Sequence, residues 1–358
     1  MADLVIDTAA MEKNWRRLRR EAGKCEILAV VKANAYGLGL IPVAQLLASW
    51  GAGWLAVSEP EEAFALRRAG IGTEILLLRP VYAPGTLERL IGADVTLSLT
   101  SVEGAETLRS AVARCGKAAR VHLAINTGLG RHGFDCGDAA GILRAAARLG
   151  NGEITGIYSH LADAYSPRDR RSRGQAERFL DLCDQLRRGR LEPGMRHLCN
   201  SAGFARYPEL RLDAVRLGSA LLGRGPGTED LTRIGYLRAE VEDLYRLPRG
   251  SCPGYGHDLR LARATDTAVV GIGYAHGFCL RRGQSGVLGL VRSLGRTILG
   301  LEPPPEMCLN GQARPVLGLP GCSSSILDVT GLDCRRGDAV TAAVNPLLAG
   351  EEVHRVFV

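Results

Sequence analysis

The chain has 358 residues, 46% apolar and 23% charged, enough to bury a large core and too long for one small domain. Its 45 basic and 38 acidic residues leave a formal charge of +7, but the basic side chains are scattered and form no aromatic-studded stripe, which argues against nucleic-acid binding. The amino-terminal MADLVIDTAAMEKNWRRLRR lacks the pattern of a signal peptide, and no run approaches the ~18 apolar residues of a membrane helix. Even LGLVRSLGRTILGL is cut twice by arginine. Ten cysteines are widely spaced with no CxxC pair, so a cytoplasmic protein with reduced thiols, no metal centre and no membrane partner is expected.

In chain order, the first two-thirds alternate short β-type runs with longer amphipathic stretches. Strands are predicted at EILAVVK (26–32), GWLAVS (53–58), EILLL (74–78), DVTLSL (94–99), RVHLAIN (120–126), EITGIYSH (153–160), MRHLCNS (195–201) and LDAVRLG (212–218). Between them LIPVAQLLASW, EPEEAFALRRAG, GAETLRSAVARC, DAAGILRAAARLG and RGQAERFLDLCDQLRR place apolar residues at helical spacing. The charged DRRSRG at 169–174 reads as a solvated loop. Eight strand–helix repeats predict an α/β fold with an amino-terminal (β/α)8 TIM-type barrel over residues 1–232. An open doubly wound sheet is the weaker alternative.

After about residue 230 Gly, Pro and short β-like runs dominate: AEVEDLYRL, TAVVGIGYA, VLGLVRS, EMCLNGQARPVLGL and SSSILDVTG. Turn signals such as LPRG, CPGYG, NGQ and RRGD separate them, which predicts a mostly β domain over 233–358. The extreme amino terminus is a candidate to pair with it.

In such a barrel the active site gathers at the carboxyl ends of the strands. Lys32 closes the first strand, Arg131 follows the fifth, His160 ends the sixth, Asn200 and Ser201 end the seventh, and Arg216 ends the eighth. A lysine emerging from an apolar run is partly desolvated, which favours the free amine that a Schiff base needs. Ser201, Gly218 and Ser219, in Gly-rich turns after strands seven and eight, suit a phosphate tail. An arginine facing a pyridine nitrogen keeps that nitrogen unprotonated, which favours proton exchange over wider carbanion chemistry.

AVVKANAYGLG resembles the cofactor-lysine signature of alanine racemases, and the similarity runs through INTGLGRHGF, IYSHLADA, CNSAG, DAVRLGSALLG, CPGYGHDLRLA, VVGIGYAHGF, LNGQARPVLG and LDVT in order. The resemblance implies a pyridoxal 5'-phosphate-dependent homodimer that racemises a small amino acid, alanine first, supplying D-alanine for peptidoglycan. Lys32 and Tyr255 would be the two catalytic bases, with Tyr255 reaching in from the second subunit. Lys32, Tyr36, His160, Asn200, Ser201, Arg216, Gly218 and Ser219 would bind the cofactor. Arg131 and Tyr274 would contact substrate.

Several positions depart from the family pattern. Ala124 and Asn126 stand where a modifiable lysine and an aspartate are common, which takes an anionic neighbour from Arg131. Cys322 and Ser323 replace a Met-Asp pair at the substrate entrance, and a helix is missing after GDAV. Asn345 then falls where tyrosine is usual, as in the serine racemases of vancomycin resistance, because an amide can hydrogen-bond a substrate hydroxyl. His276 replaces the commoner aspartate of YADG. A serine racemase, a barrel decarboxylase with the same cofactor, and a cofactor-binding protein without racemase activity are the alternatives.

Overall fold

The structure, a computed structural model, describes residues 2–166, 169–255, 259–280 and 305–358. The chain divides into two compact units, one formed by Ala9–Ile234 and the other by Met1–Thr8 with Gly235–Val358. The first strand, β1 (Asp3–Ile6), belongs to the latter.

The Ala9–Ile234 unit is a closed parallel barrel. Its strands are β2 (Glu26–Val30), β3 (Trp54–Val57), β4 (Glu74–Leu77), β5 (Val95–Leu99) and β6 (Ala119–Asn126), then β8 (Gly152–Tyr158), β9 (Met195–His197) and β10 (Ala214–Leu217). The two-residue β7 (Phe134–Asp135) is appended to β6. Each barrel strand pairs in parallel with its neighbour, β5 joins β6, and β10 closes the ring on β2 with Val215 opposite Ile27. The barrel core is packed: VTLSL of β5 is buried at every residue, and Leu28, Ala56, Leu76 and Ala214 form one cluster. Parallel strands covered on both faces read as continuous apolar runs, and all eight expected runs become the eight barrel strands.

The helical spacings become the helices Leu40–Ser49, Pro60–Arg68, Val102–Cys115, Ala139–Arg148 and Arg170–Arg188. Their starts are fixed locally. Ser101 Oγ accepts from Gly104 N at 3.0 Å, Asp138 Oδ1 accepts from Gly141 N at 2.7 Å, and Pro60 opens its helix behind a Glu59/Glu62 capping box. One expectation fails here: DRRSRG is not a loop. Asp169 immediately precedes a 19-residue helix whose first turns carry the arginines, and Arg173 pairs with Asp169 at 2.7 Å and Glu209 at 3.1 Å. Charge density shows that this face is solvated, not that it is irregular, because arginine is a good helix former.

The second unit is built on the long β11 (Tyr236–Leu247), with β12 (Thr265–Val270), β13 (Glu306–Leu309), β14 (Gln312–Pro315), β15 (Ser325–Asp328), β16 (Ala339–Ala343) and β17 (His354–Phe357). β11 pairs antiparallel with β1, β12 and β16, and β1 runs parallel to β17 with Leu4 opposite Arg355. The β13–β14 hairpin turns at Asn310-Gly311, both at positive φ (51° and 78°), as a two-residue primed turn requires. The expected strand VLGLVRS and the arginine-broken LGLVRSLGRTILGL lie outside the described residues. Among the described residues no helix is long and apolar enough to cross a membrane.

Candidate active site

Strand β2 ends at Val30, two residues earlier than the apolar run suggests, and Lys32 opens a turn of unusual hand. Ala33, Asn34, Ala35 and Tyr36 all have φ between 52° and 55°, in the left-handed region, before Gly37 (87°) and Gly39 (111°). Asn34 anchors the turn: its Oδ1 accepts from Leu40 N at 2.7 Å, and its carbonyl accepts from Gly37 N and Gly39 N at 3.0 Å each. This turn delivers Lys32 and Tyr36 from the carboxyl end of β2.

Arg216, on β10, is 4% exposed, and its guanidinium is held by the barrel wall. Nη1 donates to His197 Nδ1 (2.7 Å) and His197 O (3.0 Å), while Nη2 donates to Ser159 O (2.5 Å), Leu198 O (3.3 Å) and His160 Nδ1 (3.4 Å). Because an arginine only donates, His197 must present Nδ1 as an acceptor and carry its proton on Nε2. That proton goes to His122 Nδ1 at 2.9 Å, so His122 is protonated on Nε2, for which no partner exists among the described residues. The tautomers of both rings therefore follow from the arginine alone.

Burial, then the charge of Arg216, holds His122 down at about 3, and the same causes place His197 well below its usual range. His160 is also held at about 3, by burial and then by Arg216, Arg131 and Lys32. Burial brings Arg216 itself down to about 10, which still leaves it cationic at neutral pH. Lys32, Arg131, His160 and Arg216 thus share one electrostatic neighbourhood, and Asn200 joins it with Nδ2 3.5 Å from His160 Nε2.

Beside this lies a hydroxyl-lined cradle. Ser201 Oγ accepts from Gly218 N and Ala220 N, both at 3.2 Å. A Cβ added at Gly218 would stand 2.2 Å from the Tyr36 hydroxyl oxygen and 2.7 Å from its Cζ, so the ring crosses where only glycine leaves room. Tyr36, Ser201 and Ser219 therefore surround Gly218 with hydroxyl groups, a donor set that fits a phosphate. The expected strand ends at 160, 201 and 218 all lie beyond their strands, with Ser201 opening a helix. β8 stops at Tyr158, β9 at His197 and β10 at Leu217, and Asn200 caps the helix Ser201–Arg206 by accepting from Gly203 N at 2.9 Å.

Arg131 is exposed on the loop after β6 and has no hydrogen-bond or ion-pair partner among the described residues. Asn126 organises that loop, accepting from Gly128 N (3.1 Å) and Gly130 N (3.0 Å). Ala124 is buried opposite Tyr158, whose hydroxyl meets Ser98 Oγ at 2.8 Å and donates to Leu78 O at 3.2 Å. Neutral hydroxyls thus line this part of the barrel.

The remaining site candidates lie on the β unit. Tyr255 bridges to Leu319, and a Cβ on Gly321 would contact its ring at 3.5 Å. Tyr274 N donates to Gly321 O (3.0 Å) and Ala275 N to Cys322 O (2.9 Å). A hydrogen bond with the Cys322 thiol pushes the Tyr274 phenol up. Tyr255, Tyr274, Cys322 and Ser323 are therefore brought together on adjoining loops. His276 fixes the same turn, its Nδ1 accepting from Gly273 N at 3.0 Å. Asn345 Oδ1 accepts from Leu347 N at 3.3 Å, which gives the asparagine a backbone role of its own.

Sequence reasoning overlooked His122, His197 and Tyr158. The signal was present: a charged or ring-bearing polar residue at an inward position of a barrel strand, as in RVHLAIN and MRH, has no solvent to face.

Residues 6–226 match the family "Alanine racemase, N-terminal domain". An alanine racemase from Beutenbergia cavernae is 36% identical over 295 residues, covering 80% of this chain and 78% of its own length. A solved alanine racemase from Streptomyces lavendulae superposes with a TM-score of 0.85 at 28% identity, covering 100% of this chain and 97% of its own. One from Bartonella henselae, described with covalently bound pyridoxal phosphate, superposes at 0.82 with 24% identity over 100% and 99% of the two chains. The closed barrel with its separate β unit agrees with these likenesses, and the chain belongs to the alanine racemase family.

Proposed function

We propose that this chain is a pyridoxal 5'-phosphate-dependent isomerase that interconverts L- and D-alanine in the cytoplasm, as a homodimer, with the D-isomer destined for peptidoglycan. The observation that carries this reading is the convergence of Lys32, Arg131, His160 and Arg216 beside the Tyr36/Ser201/Ser219 cradle. The bound cofactor would supply an electrophilic aldehyde for the substrate amine and a conjugated ring that stabilises negative charge at Cα.

Lys32 would hold the cofactor and take or return the Cα proton on one face. Tyr255 of the partner subunit would do the same on the other, since inversion needs one acid–base group on each side of the carbon. Tyr255 at 70%, Leu319 at 59% and Tyr274 at 49% exposure form an apolar patch, which supports a covering partner. Tyr36, Ser201, Gly218 and Ser219 would receive the phosphate. Arg216 would face the pyridine nitrogen, with His160 and Asn200 alongside the ring. Among the described residues the guanidinium hydrogen bonds run to carbonyls and neutral imidazoles, and none runs to an acid that could protonate that nitrogen. This limits charge withdrawal into the ring and disfavours decarboxylation. Arg131 would meet the substrate carboxylate, and Tyr274, Cys322, Ser323 and Asn345 are the substrate-contact candidates of the β unit. The likeness to alanine racemases puts alanine ahead of serine.

The test is incubation with pyridoxal phosphate and single L-amino acids in deuterated water. Deuterium entry at Cα of alanine with formation of the D-isomer is expected. Release of carbon dioxide, or cofactor absorbance without exchange, would overturn the reading. Lys32→Ala should abolish the visible absorbance of lysine-bound cofactor.

A further inference from the structure

The loop that follows His160 carries Tyr165, to which neither the family motifs nor the composition assigns a role. Its hydroxyl lies 3.3 Å from Ser219 Oγ. Its ring lies against Gly225, where a Cβ would stand 3.6 Å from Cε1, from the tyrosine hydroxyl and from Ser219 Oγ alike. Gly225 has φ 112°, a conformation that favours glycine, and at 3.6 Å the ring lies in ordinary contact range of such a Cβ.

The loop is tied down on several sides. Asn200 Nδ2 donates to Leu161 O (3.4 Å), Ala162 N to Gln175 Oε1 (2.8 Å), and Arg206 Nη1 to Ala164 O (3.0 Å) and to Ser166 O. Leu161 and Ala164 are buried, while Tyr165 stays 58% exposed. Buried flanks with one outward aromatic ring place that ring by construction rather than by accident of a loose loop.

We propose that Tyr165 is a positioning residue for the cofactor phosphate, acting through Ser219; this rests on the phosphate reading of the cradle above. A serine hydroxyl has one hydrogen and two acceptor sites. When Ser219 donates that hydrogen to a phosphate oxygen its lone pairs are left to accept, and Tyr165 O–H is in place to donate to one of them. Such a donor chain orients the serine hydrogen away from the tyrosine and polarises it toward the anion. The ligand class is therefore a phosphomonoester, and the tyrosine discriminates for the phosphate rather than for the pyridine ring.

The experiment titrates the cofactor-free protein with pyridoxal phosphate and, separately, with pyridoxal, following the visible absorbance of the lysine-bound species. Tyr165→Phe keeps the ring and removes only the hydroxyl. It should raise the Kd for pyridoxal phosphate about five- to tenfold, the size of one lost neutral hydrogen bond, and leave the Kd for pyridoxal unchanged. In a Ser219→Ala background the same change should have no further effect, because the tyrosine works through that serine. An unchanged Kd for pyridoxal phosphate would overturn the proposal, as would equal weakening for both ligands or full additivity with Ser219→Ala. If the unmodified protein binds neither ligand at Lys32, the cofactor reading itself fails. If Ser201→Ala weakens pyridoxal phosphate while Tyr165→Phe does not, only the role of Tyr165 falls.

Discussion

Gly218→Ala tests the cradle by geometry alone. The backbone at Gly218 has φ −128°, outside the left-handed region, so the effect of alanine there is read chiefly from where its methyl group stands. That methyl would meet the Tyr36 hydroxyl oxygen at 2.2 Å, Cζ at 2.7 Å and Cε2 at 2.8 Å, against 3.4 Å for the onset of ordinary contact. The ring cannot simply swing aside, because Tyr36 packs on the Leu28/Val30 core cluster and sits in the left-handed turn. Overpacking of this kind costs about 1–3 kcal/mol. For a unit of this size that lowers Tm by roughly 2–12 °C. Displacing the phenol also removes one hydrogen bond to a charged group, which is about a 10- to 100-fold rise in Kd for pyridoxal phosphate. Thermal melts of the cofactor-free protein and absorbance titrations measure the two effects. In a Tyr36→Ala background the obstruction is gone and Gly218→Ala should be nearly neutral in stability. The same drop in Tm in both backgrounds would refute the steric argument.

Three further outcomes are expected. His122 is held near 3 in the fold against an ordinary 6.5, so as pH falls below 6.5 the unfolded chain binds a proton that the native state refuses. Native stability is therefore full above that value and falls on acidification, by about 2 kcal/mol from this residue between pH 7 and pH 5. Urea melts across that window should show the slope, and His122→Phe should flatten it by that amount. Asn126→Ala removes the acceptor for Gly128 N and Gly130 N and should raise KM for alanine severalfold through the Arg131 loop, while Asn126→Asp keeps the acceptor and largely preserves KM. Tyr255→Phe should slow proton transfer from one enantiomer far more than from the other, as isotope exchange run in each direction will show; equal losses would count against a one-sided base.

The barrel was legible because each strand is buried on both faces and so reads as an apolar run bracketed by helical spacing; EILAV and VTLSL could hardly be anything else. Strand ends were less legible. Lys32, His160 and Ser201 lie just past their strands, Ser201 on a short helix, in segments that continue the apolar texture of the strand without its conformation, and only backbone dihedrals separate the two. DRRSRG was misread because polarity reports exposure and not regularity. The rim residues of the site could be gathered in advance because barrel topology assigns strand ends to one face. The His122–His197–Arg216 line could not, because it depends on which inward side chains meet across the barrel, a property of register.

The left-handed run from Ala33 to Tyr36 bears on how the KANAY segment tolerates change. Each L-residue held in that region costs roughly 1–2 kcal/mol relative to the right-handed form. Glycine escapes this cost, and asparagine and aspartate reduce it by local hydrogen bonding. A saturation library at 33–36 should therefore sort first by backbone permissiveness, accepting Gly, Asn and Asp at 33–35 and rejecting Val, Ile and Thr however well they fill the space. Part of a sequence signature that reads as chemistry is thus a record of chain geometry: Asn34 suits the direction in which the turn winds, and the alanines at 33 and 35 keep β-branching out of it.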